Sequence, residues 1–183
     1  MRAIIQSYTP QECKRILNGR QTIKVCKTAP KDTPFKVYIY CTKDGYAYRC
    51  RIDENSKLAI PELWNGKVIG EYVCEKVDFA KEQVILGGIY YSRYEDVIDC
   101  LLVEKSCLDN FELLTYGKGK PFSVLHISNV KISDKPKELS EFGKYIKKQN
   151  IIDKGCEVII ENWTEFVPIR RPPHGWQYVE ELQ

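Results

Sequence analysis

The sequence predicts an α+β fold, a small β-barrel or half-open sheet with a few flanking helices. Three observations carry it: many short segments of alternating or β-branched and aromatic composition, turn signals between them, and one early stretch with a complete helix-start signature. At 183 residues the chain is long enough for one compact domain and too short for two ordinary ones, so 1–183 is read as a single domain. Its 43% hydrophobic and 29% charged residues are globular composition rather than disordered.

Ala3 to Ser7 reads as a short first strand. A helix follows, with Thr9 as its cap, Pro10 at the first helical position and Glu12 completing a T-x-x-E capping box. Cys13, Ile16 and Leu17 share one apolar face, while Lys14 and Arg15 face water. Asn18-Gly19 ends the helix, because both residues tolerate the left-handed conformation. From Gln21 to Lys27 the chain alternates, with Ile23 and Val25 on one face and Thr22, Lys24 and Cys26 on the other. Phe35 to Cys41 is the clearest strand.

The stretch 43–66 reads as an insertion, with turn signals at Asp44-Gly45 and Asn65-Gly66 and a hairpin arm from Tyr46 to Ile52. Val68 to Phe79 is expected to be one long, bulged strand, and Phe122 to Ile132 another. Between them lie a short helix around Glu95 to Leu101 and a second that begins near Ser106 and Asp109 and stops at Gly117. Pro136 to Phe142 reads as a helical turn, and Trp176 to Val179 as a last strand.

No apolar run approaches the roughly 20 residues of a membrane span, and the opening MRAIIQSYTP lacks the apolar core of a signal peptide. The eight cysteines are scattered, and no CxxC pair is present. Reduced thiols, no metal, no cofactor and a cytoplasmic location are therefore expected. Charge is unevenly spread. The net charge is +3, yet Lys14 to Lys36 holds seven basic residues against one acid, a local excess of +6. Such a field suits an anionic partner, of which nucleic acid is the commonest.

Four blocks carry a resemblance: ILNGRQTIKVCKTAP with KVYIYCTK, GKVIGEYVC, LHISNVKISDKPKELSEF, and RRPPHGWQYVEE. They resemble the ASCH family, a branch of the PUA-like β-barrels, and within it the small ASCH proteins of phages and mobile elements. The family signature G-x-K-x-x-E-x-R falls on Gly19, Gln21, Lys24 and Cys26, so only the glycine is kept. The resemblance implies a PUA-like barrel whose signature residues line a ligand cleft. It also implies that inherited amidohydrolase chemistry on modified nucleosides is weakened by the loss of the lysine, acid and arginine.

Three functional readings follow. The first is an RNA-directed protein that binds RNA and cleaves it without metal, with an RNA-guided host defence complex as a target and an anti-CRISPR role as the consequence. Metal-independent cleavage needs a proton acceptor, a cation for the phosphorane and an acid for the leaving oxygen. Lys24, His126 and Glu71 are the available set, while Lys14, Arg15, Arg20, Gln21, Thr22, Lys27, Tyr40, Ser128, Trp176 and Tyr178 would hold phosphates and stack bases. His126 and Ser128 alternate, and so are expected on one face of one strand. The second reading is the amidohydrolase, and the third is a catalytically inactive decoy that binds a protein or ribonucleoprotein.

Overall fold

The structure, a computed structural model, describes residues 1–43, 64–153 and 158–180. In chain order its elements are β1 (Ala3–Tyr8), α1 (Pro10–Leu17), β2 (Ile23–Cys26), β3 (Phe35–Cys41), β4 (Lys67–Cys74), β5 (Val77–Ile85) and β6 (Gly88–Ser92). Then come α2 (Cys100–Ser106), α3 (Asn110–Gly117), β7 (Phe122–His126), β8 (Ser128–Glu138), β9 (Gly143–Asp153), β10 (Val158–Pro168) and β11 (Trp176–Val179). A 3-10 turn, Leu139–Glu141, joins β8 to β9.

One sheet has the order β11-β1-β3-β4-β8, a second β2-β7-β5-β6, and β9 and β10 form a ribbon of their own. The β1–β3 pairing is parallel, because the chain returns through α1 and β2 before β3; the other pairings are antiparallel. Strand alternation then sorts side chains into three apolar layers. Ile4, Val37, Tyr72 and Leu125, with Cys13 and Ile16 of α1, form the central cluster, to which both sheets contribute. Ile5, Tyr38, Tyr40 and Val68 cover the outer face of the first sheet with Leu139, Phe142 and Ile169. Ile23, Val25, Phe122 and Val124 lie on the outer face of the second sheet beneath Leu102 of α2 and Leu113 of α3.

The helix-start reading holds at α1, where Thr9 accepts from the Glu12 amide at 3.2 Å and Glu12 accepts from the Thr9 amide at 2.9 Å. It also holds at α3, although the cap is Asp109 with Glu112, and Ser106 belongs to α2. The first of the two middle helices starts later than expected, since Asp99 caps it through the Leu102 amide at 3.0 Å. Pro136 lies within β8, leaving only three residues of the expected helical turn.

Two expected long strands are each broken in two. Val68 to Phe79 is β4 and β5, in different sheets, with Glu75 and Lys76 between them. Phe122 to Ile132 is β7 and β8, again in different sheets, with Ile127 between them. β3 and β4 accordingly lie in one sheet and β2 and β7 in the other, and the fold is the expected α+β one of curled sheet with a few flanking helices. The hairpin arm from Tyr46 to Ile52, and most of the 43–66 insertion, lie outside the described residues. Among the described residues no helix is long and apolar enough to cross a membrane.

Gly70 marks the tightest approach within the first sheet. A Cβ there would lie 2.3 Å from the Lys131 carbonyl oxygen, in backbone that has nowhere to move. Gly70→Ala is expected to destabilise the chain by about 1–3 kcal/mol, as overpacking does. A urea midpoint equal to that of the parent would show that β4 and β8 do not pair in this register.

Candidate nucleic-acid interface

Of the four positions on which the signature falls, Lys24 and Cys26 face the central layer, whereas Gly19 is exposed beyond α1. Lys24 projects from β2 on the same face as Cys26 and pairs with Glu12 of α1, with both side chains mostly buried. Its ammonium also stands 4.9 Å from the centre of the Tyr8 ring, a cation–π contact. Behind it the Tyr8 hydroxyl meets the Tyr72 hydroxyl at 2.8 Å and donates to Gln6 Oε1 at 2.9 Å. Gln6 Nε2 in turn donates to Cys26 Sγ at 2.9 Å.

Burial pushes the Tyr8 and Tyr72 phenols well above their ordinary value, so both remain neutral hydrogen-bonding groups. Burial likewise pushes the Cys26 thiol up to about 11. Burial also works to raise the Glu12 carboxyl, but the Lys24 charge and hydrogen bond outweigh it and hold that group below its ordinary value. Gln21 is buried, donates to the Ile23 carbonyl at 3.2 Å and leaves Oε1 without a partner. Around Lys24 this is a charge-balanced, hydrogen-bonded interior.

The three candidate catalytic residues face three different layers. Lys24 is in the central one. Glu71 stands opposite Tyr38 on the outer face of the first sheet and pairs with Lys36 at 3.2 Å. His126 stands opposite Ile23 on the helix-covered face of the second sheet, with Nε2 2.8 Å from Asp78 Oδ2. Register alone forces this separation, and the three do not form one catalytic constellation. His126 and Ser128 are also parted, because the strand breaks at Ile127. Ser128 joins the first sheet, where its hydroxyl donates to the Val73 carbonyl at 2.8 Å.

The remaining candidates scatter. Tyr40 is 3% exposed and packs in the outer cluster of the first sheet, where no base could stack on it. Arg15 donates to the Cys107 carbonyl at 3.1 Å, tying α1 to the end of α2. Thr22 uses its backbone to bridge Lys105 and Ile127. Lys14 is half-buried on α1, and Arg20 is exposed just beyond that helix. Trp176 and Tyr178 are half-buried, with their rings edge to face at 5.2 Å.

An open groove lies where the two sheets diverge, between the loop after β2 and the neighbouring edges of β5 and β7. Its volume is about 540 Å3, and Lys27, Thr28, Lys31, Lys76, Val77, Phe79 and Ser123 line it together with Glu75. The row Cys26, Ser123, Phe79 runs across β2, β7 and β5, and its last member is 63% exposed. Trp176 fixes the loop by donating its indole N–H to the Thr28 carbonyl at 2.8 Å. The loop's acid, Asp32, is taken up by Arg2 at 2.7 Å, so it does not offset the lysines.

Lys27 bonds the Tyr116 and Gly117 carbonyls at the end of α3 and stands 4.3 Å from the centre of the Tyr116 ring. Lys76 pairs with Asp78 at 2.9 Å. Burial works to raise the Asp78 carboxyl, and hydrogen bonds from Lys76 and His126 overcome it to hold that group low. Of the groove residues, sequence reasoning singled out Lys27 as a contact. Lys31 was counted only as part of the basic run. Phe79 and Lys76 were hidden inside an apparently continuous strand, and Glu12 had been absorbed by its capping role.

Comparison with family models and with curated proteins finds no match. Among solved structures the chain is similar to the ASCH protein from Zymomonas mobilis. A serine-to-alanine mutant of that protein gives a TM-score of 0.54 at 13% identity, covering 98% of this chain and 89% of that one. A tyrosine-to-phenylalanine mutant gives 0.49 at 12% identity over 99% and 92%, and a further crystal structure gives 0.47 at 15% over 75% and 73%. The likeness at 0.54, spanning nearly the whole chain, is one of fold. The chain has the α+β, PUA-like architecture of the ASCH proteins.

The Glu12–Lys24 pair yields a pH signature. Glu12→Gln strands a mostly buried ammonium and is expected to cost about 1–3 kcal/mol at neutral pH. Because the folded-state carboxyl is held low, its contribution is fully present above the unfolded value near 4.5 and is lost as pH falls through the folded value. Urea midpoints of variant and parent should therefore converge in acid. A gap that persists unchanged through that range would show that the pair contributes nothing.

Proposed function

We propose that the chain binds single-stranded RNA along the open groove beside the loop after β2. The observation that carries this reading is the pairing of Lys31 and Lys76 with the exposed Phe79 ring in one open groove. A cationic wall tracks a phosphate backbone, and an aromatic ring stacks on bases of any sequence, which is how single strands are held without a base code. The choice of RNA over DNA rests on analogy with PUA-like folds. Cleavage by Lys24, Glu71 and His126 acting together forms no part of this reading, since the three face different layers. The resemblance to phage and mobile-element proteins adds a target to the same groove, the guide RNA of an RNA-guided defence complex.

Salt titration of binding to a short unstructured RNA tests the groove directly. Each phosphate contact contributes roughly 0.7 to the log–log slope for a single strand. Lys31→Ala with Lys76→Ala should lower the slope by about 1.4, whereas Lys24→Ala should leave it unchanged because that ammonium is engaged by Glu12. Phe79→Ala should weaken binding by about 1–3 kcal/mol at every salt concentration. Binding that ignores all three groove substitutions would remove the groove from the account. A neutral modified nucleoside that binds with no salt dependence would favour the amidohydrolase reading instead.

A further inference from the structure

Among the described residues no layer covers the ribbon of β9 and β10. Its strands pair without a register shift from Gly143↔Pro168 to Asp153↔Val158, a length of about 37 Å at about 3.4 Å per residue. Among the described residues its anchors lie at its base, where the Ile169 amide donates to the Phe142 carbonyl and the Glu180 amide to the Gly143 carbonyl. Neither of its long edges has a neighbouring strand in the described sheets. An isolated two-stranded ribbon is marginal in water, and this one exposes Ile146 at 45%, Trp163 at 46% and Val167 at 40% on one face. The opposite face exposes Tyr145 at 48%, Ile151 at 63% and Ile160 at 53%, and the face with Trp163 is the one that sets acids on one strand beside bases on the other.

Charge on the face selects the partner. Lys144 and Lys148 stand on β9, Glu161 and Glu165 on β10, so one edge is basic and the other acidic, with Lys148 and Glu165 also paired within the chain and both half exposed. RNA would meet the acidic edge and be repelled. A second copy of the same face would not. With a two-fold axis along the ribbon, β9 of one copy lies over β10 of the other. Each Lys148 then sits above the other copy's Trp163, between Glu161 and Glu165, and the apolar side chains meet in the middle. A two-fold axis across the ribbon would instead stack β9 on β9 and set lysine over lysine.

We infer that the chain dimerises through this ribbon face, with the two arms side by side and pointing the same way. One face covers about 370 Å2 per copy, roughly half of what a standard interface buries on each partner, so the dimer is weak and concentration-dependent. This inference is independent of the RNA-binding reading, because the groove and the ribbon share no residue.

Sedimentation equilibrium on the full chain, from about 5 to 500 μM, should show monomer giving way to dimer with a midpoint on the order of 10–100 μM. Lys148→Glu should abolish association, as should the pair Glu161→Lys with Glu165→Lys. Mixing those two variants should restore a dimer, because each lysine or glutamate then meets its opposite across the interface. This rescue separates a direct contact from misfolding, since two misfolded chains would not rescue each other. A parent that stays monomeric throughout the range, or a mixture that fails to associate although both variants retain the parent's circular dichroism, would overturn the inference. Lowered RNA affinity in both variants, without any change in mass, would reassign the ribbon to nucleic acid and overturn it equally.

Discussion

Two of the chain's passages between these two sheets are short and bonded to each other, and the rest of the arrangement depends on them. At the first, Glu75 and Lys76 separate β4 from β5; at the second, Ile127 separates β7 from β8. The His126 amide donates to the Lys76 carbonyl at 3.1 Å, and the Ser128 hydroxyl donates to the Val73 carbonyl at 2.8 Å. Ile127 itself donates to the Thr22 carbonyl at 2.9 Å, which brings the start of β2 to the same place. Because a strand presents alternate residues to opposite faces, anchoring the crossings sets every face that follows. Val77 and Phe79 turn toward the groove, Asp78 and His126 turn to the helix-covered face, and Glu71 is left on the far side of the first sheet.

Much of the local structure was legible in the sequence. Thr9, Pro10 and Glu12 marked the start of α1, and the alternation around Ile23 and Val25 set the faces of β2. The crossings were not legible. Neither Glu75-Lys76 nor Ile127 carries a glycine or proline, and β-forming residues flank both, so nothing local signals that pairing passes to another sheet. The ribbon was missed for a different reason. Lysine and isoleucine occur on both of its faces, and each face mixes polar with apolar residues, so the contrast between buried and exposed positions that reveals a strand is absent. As for the candidate site, the basic run contains Lys27 and Lys31, which line the groove, but it could not say which lysines were already engaged.

Lys24 illustrates that last point. From its position in the signature it looked like a free cation in a ligand cleft. In the fold it is matched by Glu12, twelve positions earlier in the chain, and rests on the Tyr8 ring. The resulting interior of Tyr8, Tyr72, Gln6 and Cys26 is closed by its own hydrogen bonds, and satisfied polar networks of this kind specify one packing rather than offer reactive groups. Positive charge open to a ligand lies outside it, on Lys31 and on Lys76, whose side chain is 65% exposed although it pairs with Asp78, while Asp32 is occupied by Arg2.

The groove is the central functional claim, and photo-crosslinking locates RNA on the protein without assuming an affinity. A uridine-rich single strand carrying a photoreactive base, irradiated in complex with the full chain and mapped by peptide mass spectrometry, should attach to residues 27–33 and 76–79. Attachment confined to the face carrying α2 and α3, or to the ribbon of β9 and β10, would contradict the account.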